Sequence, residues 1–413
     1  MKTVVFIETN FSGLDAIAYC KAKGYRAVLV TDSFDRFRNW FPEASLSKLD
    51  KVDQVVSVQC SSDVDEVVEA LQKQVEQIDA VLTFAEIRTL TAAVICQRLG
   101  LKGAEPESIE IAQDKYLFRK VLLEKDADRV QCQQLSRKDI GCGVATPDLF
   151  PCFVKPVFGH SSIGARLCHS IEDMNAVFDQ LEATEEEWIS EMVVAEDYLC
   201  GELYSVEMLT TNAGVHQVVG ISDRSTVNGS IEIGASFPLK DEINEVIISK
   251  ACAALDAIGY DFGASHVEII LTDNGPHLVE INTRVGGSGH SVMMDLSTSR
   301  SIVGDCVELA LGQLEAKTPL YEHQQGAAWH CYISQEPGLI QSLPSMEAIK
   351  ACTGVKDVWF HHDAGDHIDG IESNFNWIVQ VMCVGEEQQQ AKQNAMSAIQ
   401  FIESHAAFIP GAE

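Results

Sequence analysis

The sequence predicts an α/β and α+β multidomain protein, with an open parallel α/β domain first and a β-rich segment last. Three observations carry that prediction. Apolar strands and helical patterns alternate through the first hundred residues, as in strand–helix–strand units. A long β-hairpin follows at 265–284, where two apolar, β-branched runs flank Thr272-Asp273-Asn274-Gly275-Pro276. From about Gly326 the chain turns to short strands punctuated by Glu336-Pro337-Gly338 and Asp363-Ala364-Gly365-Asp366, with a last helix over about 386–403. The expected division is 1–105, 106–325 and 326–413, in line with roughly two to four domains for a chain of 413 residues.

In the first domain, residues 3–8, 25–30, 53–58 and 80–84 read as buried strands. Residues 14–23, 64–78 and 87–99 read as helices, two of them closed by Gly24 and Gly100. No GxGxxG is present, so a dinucleotide site has no support. Glu86 falls just past a strand's carboxyl end, where open parallel sheets bind ligands. It suits equally well the first turn of a helix, where the dipole favours an acid.

Residues 106–135 look helical and charged, with Lys115 near the start. Phe153-Val154-Lys155-Pro156-Val157 is a short strand, Phe158-Gly159-His160-Ser161-Ser162-Ile163-Gly164 a loop, and residues 166–168 resume a strand. Such a hairpin tip can close amide and hydroxyl donors over phosphates, although alone it is more often a plain turn. It is not a Walker A loop, since no GK[ST] follows. A helix over 171–181 leads to an acidic surface run, Glu185-Glu186-Glu187. Residues 188–194 read as an apolar strand interrupted by Glu191, and 203–209 and 215–222 as further strands. A helix over 243–258 closes at Gly259.

Along the hairpin, alternation puts Glu280, Asn282 and Arg284 on one face and Val279 and Ile281 on the other. His266 and Glu268 share a face of the first strand. An odd-length loop, such as 273–275, sets Glu268 opposite Glu280. Facing carboxylates repel unless a cation lies between them, and a divalent ion prefers such oxygens. A solvated strand face is the bland alternative. Beyond Arg284, Val285-Gly286-Gly287-Ser288-Gly289-His290 can bring backbone close to a ligand, and a helix resumes over 301–311. His361-His362-Asp363 and Asp366-His367 fit a polar turn better than a metal site.

The balance of 61 acidic to 30 basic residues, −31 overall, opposes nucleic acid and anionic membranes as partners. The apolar fraction of 46% suits a soluble protein with sizeable cores. Thirteen cysteines without a CxxC pair read as thiols in a reducing compartment. The first apolar run is too short for a signal peptide, and no stretch is long enough to span a membrane, so a cytoplasmic protein is expected.

Taken in order, Lys115, Lys155 with its glycine–serine loop, Glu191, Glu268 and Glu280-Ile281-Asn282-Thr283-Arg284 resemble the ATP-grasp superfamily over nearly the whole chain. Within it, the sequence is similar to carboxylate–amine ligases, especially bacterial L-amino acid ligases that make dipeptides. The resemblance implies an ATP-grasp fold with a lid at about 140–207, ATP and magnesium as cofactors (two ions, with manganese an alternative), amino acids as substrates and homodimerisation. It implies an ADP-forming reaction through an acyl phosphate, or alternatively a biotin-carboxylase-like or purine-pathway activity, or a non-catalytic nucleotide-binding regulator.

Lys115, Lys155, Ser161 and Ser162 would meet the triphosphate. The adenine hinge would be Glu191-Met192-Val193-Val194 or, in the alternative alignment, Glu196-Asp197-Tyr198-Leu199, with Glu202 or Glu196 on the ribose. Glu268, Glu280 and Asn282 would hold magnesium, and Arg284 would meet the substrate carboxylate and its acyl phosphate. Glu86, Glu232 and Gly287 would complete the substrate site. One departure stands out: Ala235 occupies the place of the histidine in the Glu-x-Gly-His pattern of the dipeptide ligases.

Overall fold

The computed structural model describes residues 1–40, 43–142, 150–184, 188–240, 242–314, 320–371 and 373–411. The acidic run at 185–187 lies outside them. Strands β1 (Thr3–Ile7), β2 (Arg26–Thr31), β3 (Gln54–Ser57) and β4 (Ala80–Leu82) form a parallel sheet in the order β3-β2-β1-β4. Val4 and Phe6 pack with Leu14 and Ile17 on one face, while Val5 and Ile7 pack with Val67 and Ile95 on the other. Burial on both faces is why β1 reads as an unbroken apolar run. The helix Phe11–Ala22 starts three residues earlier than its apolar pattern, because the Asn10 side chain caps it by accepting the Gly13 N–H at 2.9 Å. Glu86 opens a 3-10 turn, Glu86–Arg88, just past β4.

Strands β5 (Cys132–Leu135), β6 (Cys152–Pro156), β7 (Arg166–Cys168) and β8 (Val193–Asp197) make a small antiparallel sheet in the order β5-β8-β6-β7. The helix Ile171–Ala183 covers it, burying Met174, Val177 and Phe178 against Val154, Cys168 and Val193. Here the sequence reading needs correction. The strand expected at 188–194 instead spans Val193–Asp197, where the Glu196 carboxylate is buried in an ion pair with Arg119.

The third sheet is the largest. Strands β9 (Glu202–Asn212), β10 (Val215–Val227), β11 (Ile231–Phe237), β12 (Gly263–Thr272), β13 (Gly275–Asn282) and β14 (Gly326–Tyr332) come first in the chain. They are followed by β15 (Gly338–Ser342), β16 (Val355–Phe360), β17 (His367–Ile368), β18 (Val379–Gly385) and β19 (Ala407–Pro410). Eight of these pair antiparallel in the order β13-β12-β9-β10-β11-β14-β18-β16, and β17-β15-β19 form a separate small sheet. The C-terminal strands thus extend the central sheet at β11. The helix Gln388–His405 lays Ala391, Ala395, Ala398 and Ile402 on Val379, Val381 and Cys383.

The hairpin of β12 and β13 has Glu268 opposite Glu280, but not through an odd loop. Thr272 faces Gly275, so only Asp273 and Asn274 make the turn. A bulge restores the register: Ile269 faces Leu278, Glu268 faces Glu280, and Val279 is the extra residue.

Helix His290–Thr298, absent from the sequence reading, packs Met293 and Met294 into the core beside Trp329. Its Asp295 accepts the Ile302 N–H at 2.9 Å. Burial, reinforced by Asp15 and Asp305, pushes this carboxyl up to about 7, against the opposing Ile302 bond. Ionising it in the folded state therefore costs stability that is absent below pH 3.8, accumulates as pH rises to about 7, and is constant above. Asp295→Asn keeps the acceptor oxygen and removes the charge. Thermal melts should show the variant level with wild type near pH 4 and more stable at pH 8, by on the order of 4 kcal/mol at most. An equal gap at both pH values would contradict the assignment.

Candidate active site

A cavity of about 2060 Å³ opens where the parallel sheet's carboxyl edge, the small sheet, the hairpin and the C-terminal strands converge. The two lysines enter from different elements. Lys115 is the first residue of the helix Lys115–Glu124, capped by Asp114, and its Nζ donates to the Gly159 carbonyl at 3.2 Å while lying 3.7 Å from Glu280 Oε2. Lys155, on β6, is 4% exposed; its Nζ is 3.0 Å from Glu196 Oε2 and donates to the Val279 carbonyl at 3.1 Å. That carbonyl belongs to the bulge residue, so the same irregularity that aligns the two glutamates also supplies an acceptor for the lysine.

Behind Lys155, Arg119 binds both oxygens of Glu196, at 2.8 and 2.9 Å, and donates to the Leu278 carbonyl at 2.7 Å. Burial opposes a charge on Glu196, but Arg119 and Lys155 outweigh it and bring the carboxyl down to about 2. Burial likewise lowers the Lys155 pKa, partly offset by Glu196. An ammonium with so few protein partners at the cavity wall is suited to an incoming anion.

Glu280 Oε1 accepts from Asn282 Nδ2 at 3.0 Å, and Asn282 Oδ1 accepts from Arg284 Nη2 at 3.3 Å. Glu268 Oε1 is met by His266 Nε2 at 3.1 Å and Arg224 Nη1 at 3.3 Å. Burial would keep His266 neutral, yet Glu207 at 2.6 Å and Glu268 raise it to about 9. Its Nε2 also lies 3.0 Å from Arg224 Nη1. Glu207, His266 and His290 form a buried cluster within metal-ligand reach of one another. Glu268, Glu280 and Asn282 line the cavity, and their oxygens are a donor set that fits a hard divalent cation.

Ser161 and Ser162 line the cavity on the loop after β6, both at positive φ (56° and 59°). Ser162 Oγ donates to the Ser230 carbonyl at 3.0 Å. Gly159 has no room for a Cβ, which would sit 2.7 Å from Pro156 Cγ. Glu86 and Arg284 line the cavity too, but as partners: Arg284 Nε lies 2.5 Å from Glu86 Oε2. Glu232 is likewise in direct ion contact with Arg224. Each carboxylate has one oxygen engaged by an arginine. Gly287 faces open space in the cavity wall, where a Cβ would meet nothing within 4 Å.

Of the two hinge alignments, Glu191-Met192-Val193-Val194 stays outside the cavity lining. Val193 and Val194 are fully buried and Glu191 points to solvent, whereas Glu196-Asp197-Tyr198-Leu199 and Glu202 line the cavity. Ala235, in place of the histidine, is buried in the core opposite Arg224 and Trp329 and does not line the cavity.

Several lining residues escaped the sequence reading. Arg224 is a buried charge inside a strand; behind the lining, Glu207 is another, and in its apolar run it was a visible signal. From the C-terminal segment, Trp377 donates Nε1 to the Glu232 carbonyl at 2.8 Å, and Gln380 donates Nε2 to the Ser288 carbonyl at 2.7 Å. His361, read as part of a turn, stands against Trp377 with ring centroids 5.7 Å apart and lines the cavity.

Residues 149–292 match the model of the ATP-grasp domain, and residues 330–407 match the L-amino acid ligase C-terminal domain 2. These residues thus carry an ATP-grasp domain followed by a domain of the L-amino acid ligase type. Among relatives of this ATP-grasp protein, the alanine–anticapsin ligase of Bacillus subtilis (strain 168) is 26% identical over 54% of this chain and 52% of its own. The dapdiamide A synthase of Enterobacter agglomerans is 22% identical over 71% and 72%. The chain thus spans 52% and 72% of the length of these two relatives. The L-amino acid ligase structure from Bacillus licheniformis superposes with a TM-score of 0.80 at 18% identity, covering 100% of this chain and 99% of that one. Among the described residues, no helix is long and apolar enough to cross a membrane.

Proposed function

We propose that this ATP-grasp protein is an ADP-forming carboxylate–amine ligase that joins an amino acid, or a related carboxylic acid, to the amine of an amino acid. The observation that carries this reading is the meeting in one cavity of Lys115 and Lys155 with Glu268, Glu280, Asn282 and Arg284. The ligase relatives and the L-amino acid ligase C-terminal domain favour it over a carboxylase.

In this reading Lys115, Lys155, Ser161 and Ser162 bind the triphosphate. Backbone of the 196–199 segment meets adenine, and Glu202 the ribose. Glu268, Glu280 and Asn282 hold magnesium, which when bound neutralises charge on the phosphates. Two ions match two carboxylates placed face to face. A substrate carboxylate oxygen takes the γ-phosphoryl group, and ADP leaves. The amine nitrogen then attacks the acyl carbon, phosphate departs with the C–O bonding pair, and the ammonium proton passes to solvent or a carboxylate. Arg284 holds the carboxylate and then the acyl phosphate through its planar N–H groups. Glu232 and Gly287 border the substrates, while Glu86 orients Arg284. Cytoplasmic residence and a homodimer complete the proposal.

Incubation with ATP, magnesium and pairs of amino acids should release ADP and phosphate in step with an amide or dipeptide, seen by mass spectrometry. AMP release, or ADP release dependent on bicarbonate rather than an amine, would count against the ligase reading.

A further inference from the structure

Arg224 lies on β10, two strands from β12, and its side chain is fully buried. Its two terminal nitrogens go to different elements. Nη2 is in direct contact with Glu232 on β11, while Nη1 is 3.3 Å from Glu268 Oε1 on β12. The intervening strand leaves the way clear, because the residue of β9 opposite both Ser222 and Glu268 is Ser205. His266 Nε2 meets that same Oε1 at 3.1 Å and is itself anchored by Glu207. Arg224 Nη1 and His266 Nε2, themselves 3.0 Å apart, thus both meet one oxygen of Glu268. Among the described residues, no hydrogen bond to Oε2 accompanies them, and Glu268 lines the cavity beside Glu280. At the other end, Glu232 is tied by its backbone to the C-terminal segment, its N–H donating to Asn374 Oδ1 at 3.2 Å and its carbonyl accepting from Trp377.

We propose that Arg224 is a positioning residue for the metal site: its planar fork, anchored on Glu232, pins Oε1 of Glu268 and presents Oε2 to a divalent cation. The inference rests on the reading of Glu268 and Glu280 as magnesium ligands. A point charge cannot substitute, since one ammonium does not span two carboxylates on neighbouring elements in the way a guanidinium does. Hydrogen-bonded partners behind a metal ligand typically govern affinity by about 10–100-fold. The competing role is a plain counter-charge for Glu207, Glu232 and Glu268, which Arg224→Lys would preserve.

The test uses the full chain, Mn2+ as probe and ADP, with free Mn2+ read by electron paramagnetic resonance. Wild type should bind Mn2+ in the presence of ADP. Arg224→Lys should fold, bind ADP without metal as wild type does, and bind Mn2+ about 10–100-fold more weakly. A folded Arg224→Lys with wild-type Mn2+ affinity overturns the positioning role. If Arg224→Lys does not fold, Glu232→Gln decides: it keeps Arg224 but releases its Nη2 end, so Mn2+ binding should weaken, and unchanged affinity overturns the proposal. Failure of wild type itself to bind Mn2+ with ADP would instead refute the metal reading.

Discussion

Arg284→Ala is expected to slow amide formation by about 10²–10³-fold, the usual effect of losing one donor aimed at developing charge, while leaving ADP affinity nearly unchanged. The geometry explains why the loss should fall on turnover. Arg284 has five N–H groups. Nε is held by Glu86, Nη1 donates to the Val285 carbonyl at 3.0 Å and Nη2 to Asn282 at 3.3 Å. The fork is thus fixed beside a proposed metal ligand with two N–H groups to spare for a substrate oxygen. Its contacts lie on the hairpin and the β4 edge, away from Lys155 and the 196–199 segment, so nucleotide binding has no direct dependence on it. Arg284→Lys should fall between the two, keeping the charge without the fork. Single-turnover kinetics alongside ADP titration would separate the effects. Equal losses of turnover and ADP affinity would remove Arg284 from the acyl site.

What the sequence made legible follows from which signals are local. The parallel sheet showed as unbroken apolar runs, while the hairpin faces and the meeting of Glu268 with Glu280 rest on alternation. The ordered lysines and the Glu-x-Asn-x-Arg pattern carried the family. Signals that depend on a distant partner were not legible. The burial of Glu196 was not legible because its neutralising partners, Arg119 and Lys155, lie far away in sequence. Both hinge alignments, 191–194 and 196–199, therefore stayed open. The Val279 bulge leaves no mark in an alternating pattern, so the pairing came out right through the wrong turn length. Arg224 sits where Asp223-Arg224-Ser225 reads as polar surface, yet two carboxylates bury it. The arginines that meet Glu86 and Glu232 were likewise not legible, since each lies far away or on a neighbouring strand.

The same buried charges yield the largest expected stability effect. Arg119→Met should destabilise the protein by about 3–5 kcal/mol, the range for breaking one side of a buried ion pair. Arg119 and Glu196 are 1% and 5% exposed at their side chains, and Asp128, at 3.6 Å, is 1% exposed. Asp128 keeps Lys250, His277 and the Leu278 N–H. Among the described residues Glu196 keeps only Lys155, so the loss concentrates there, and in the proposed reading Lys155 would have to serve both that carboxylate and the triphosphate. Urea denaturation should show a lower midpoint at unchanged slope, and ADP titration a weaker affinity. The double variant Arg119→Met/Glu196→Gln separates causes, because it removes the orphaned charge while keeping an acceptor for Lys155. Recovery of most of the stability would assign the penalty to the uncompensated carboxylate. No recovery would assign it to the lost packing of Arg119 and its bonds to the Leu278 and Val279 carbonyls, and would mean that the bulge, rather than the ion pair, is what Arg119 holds in place.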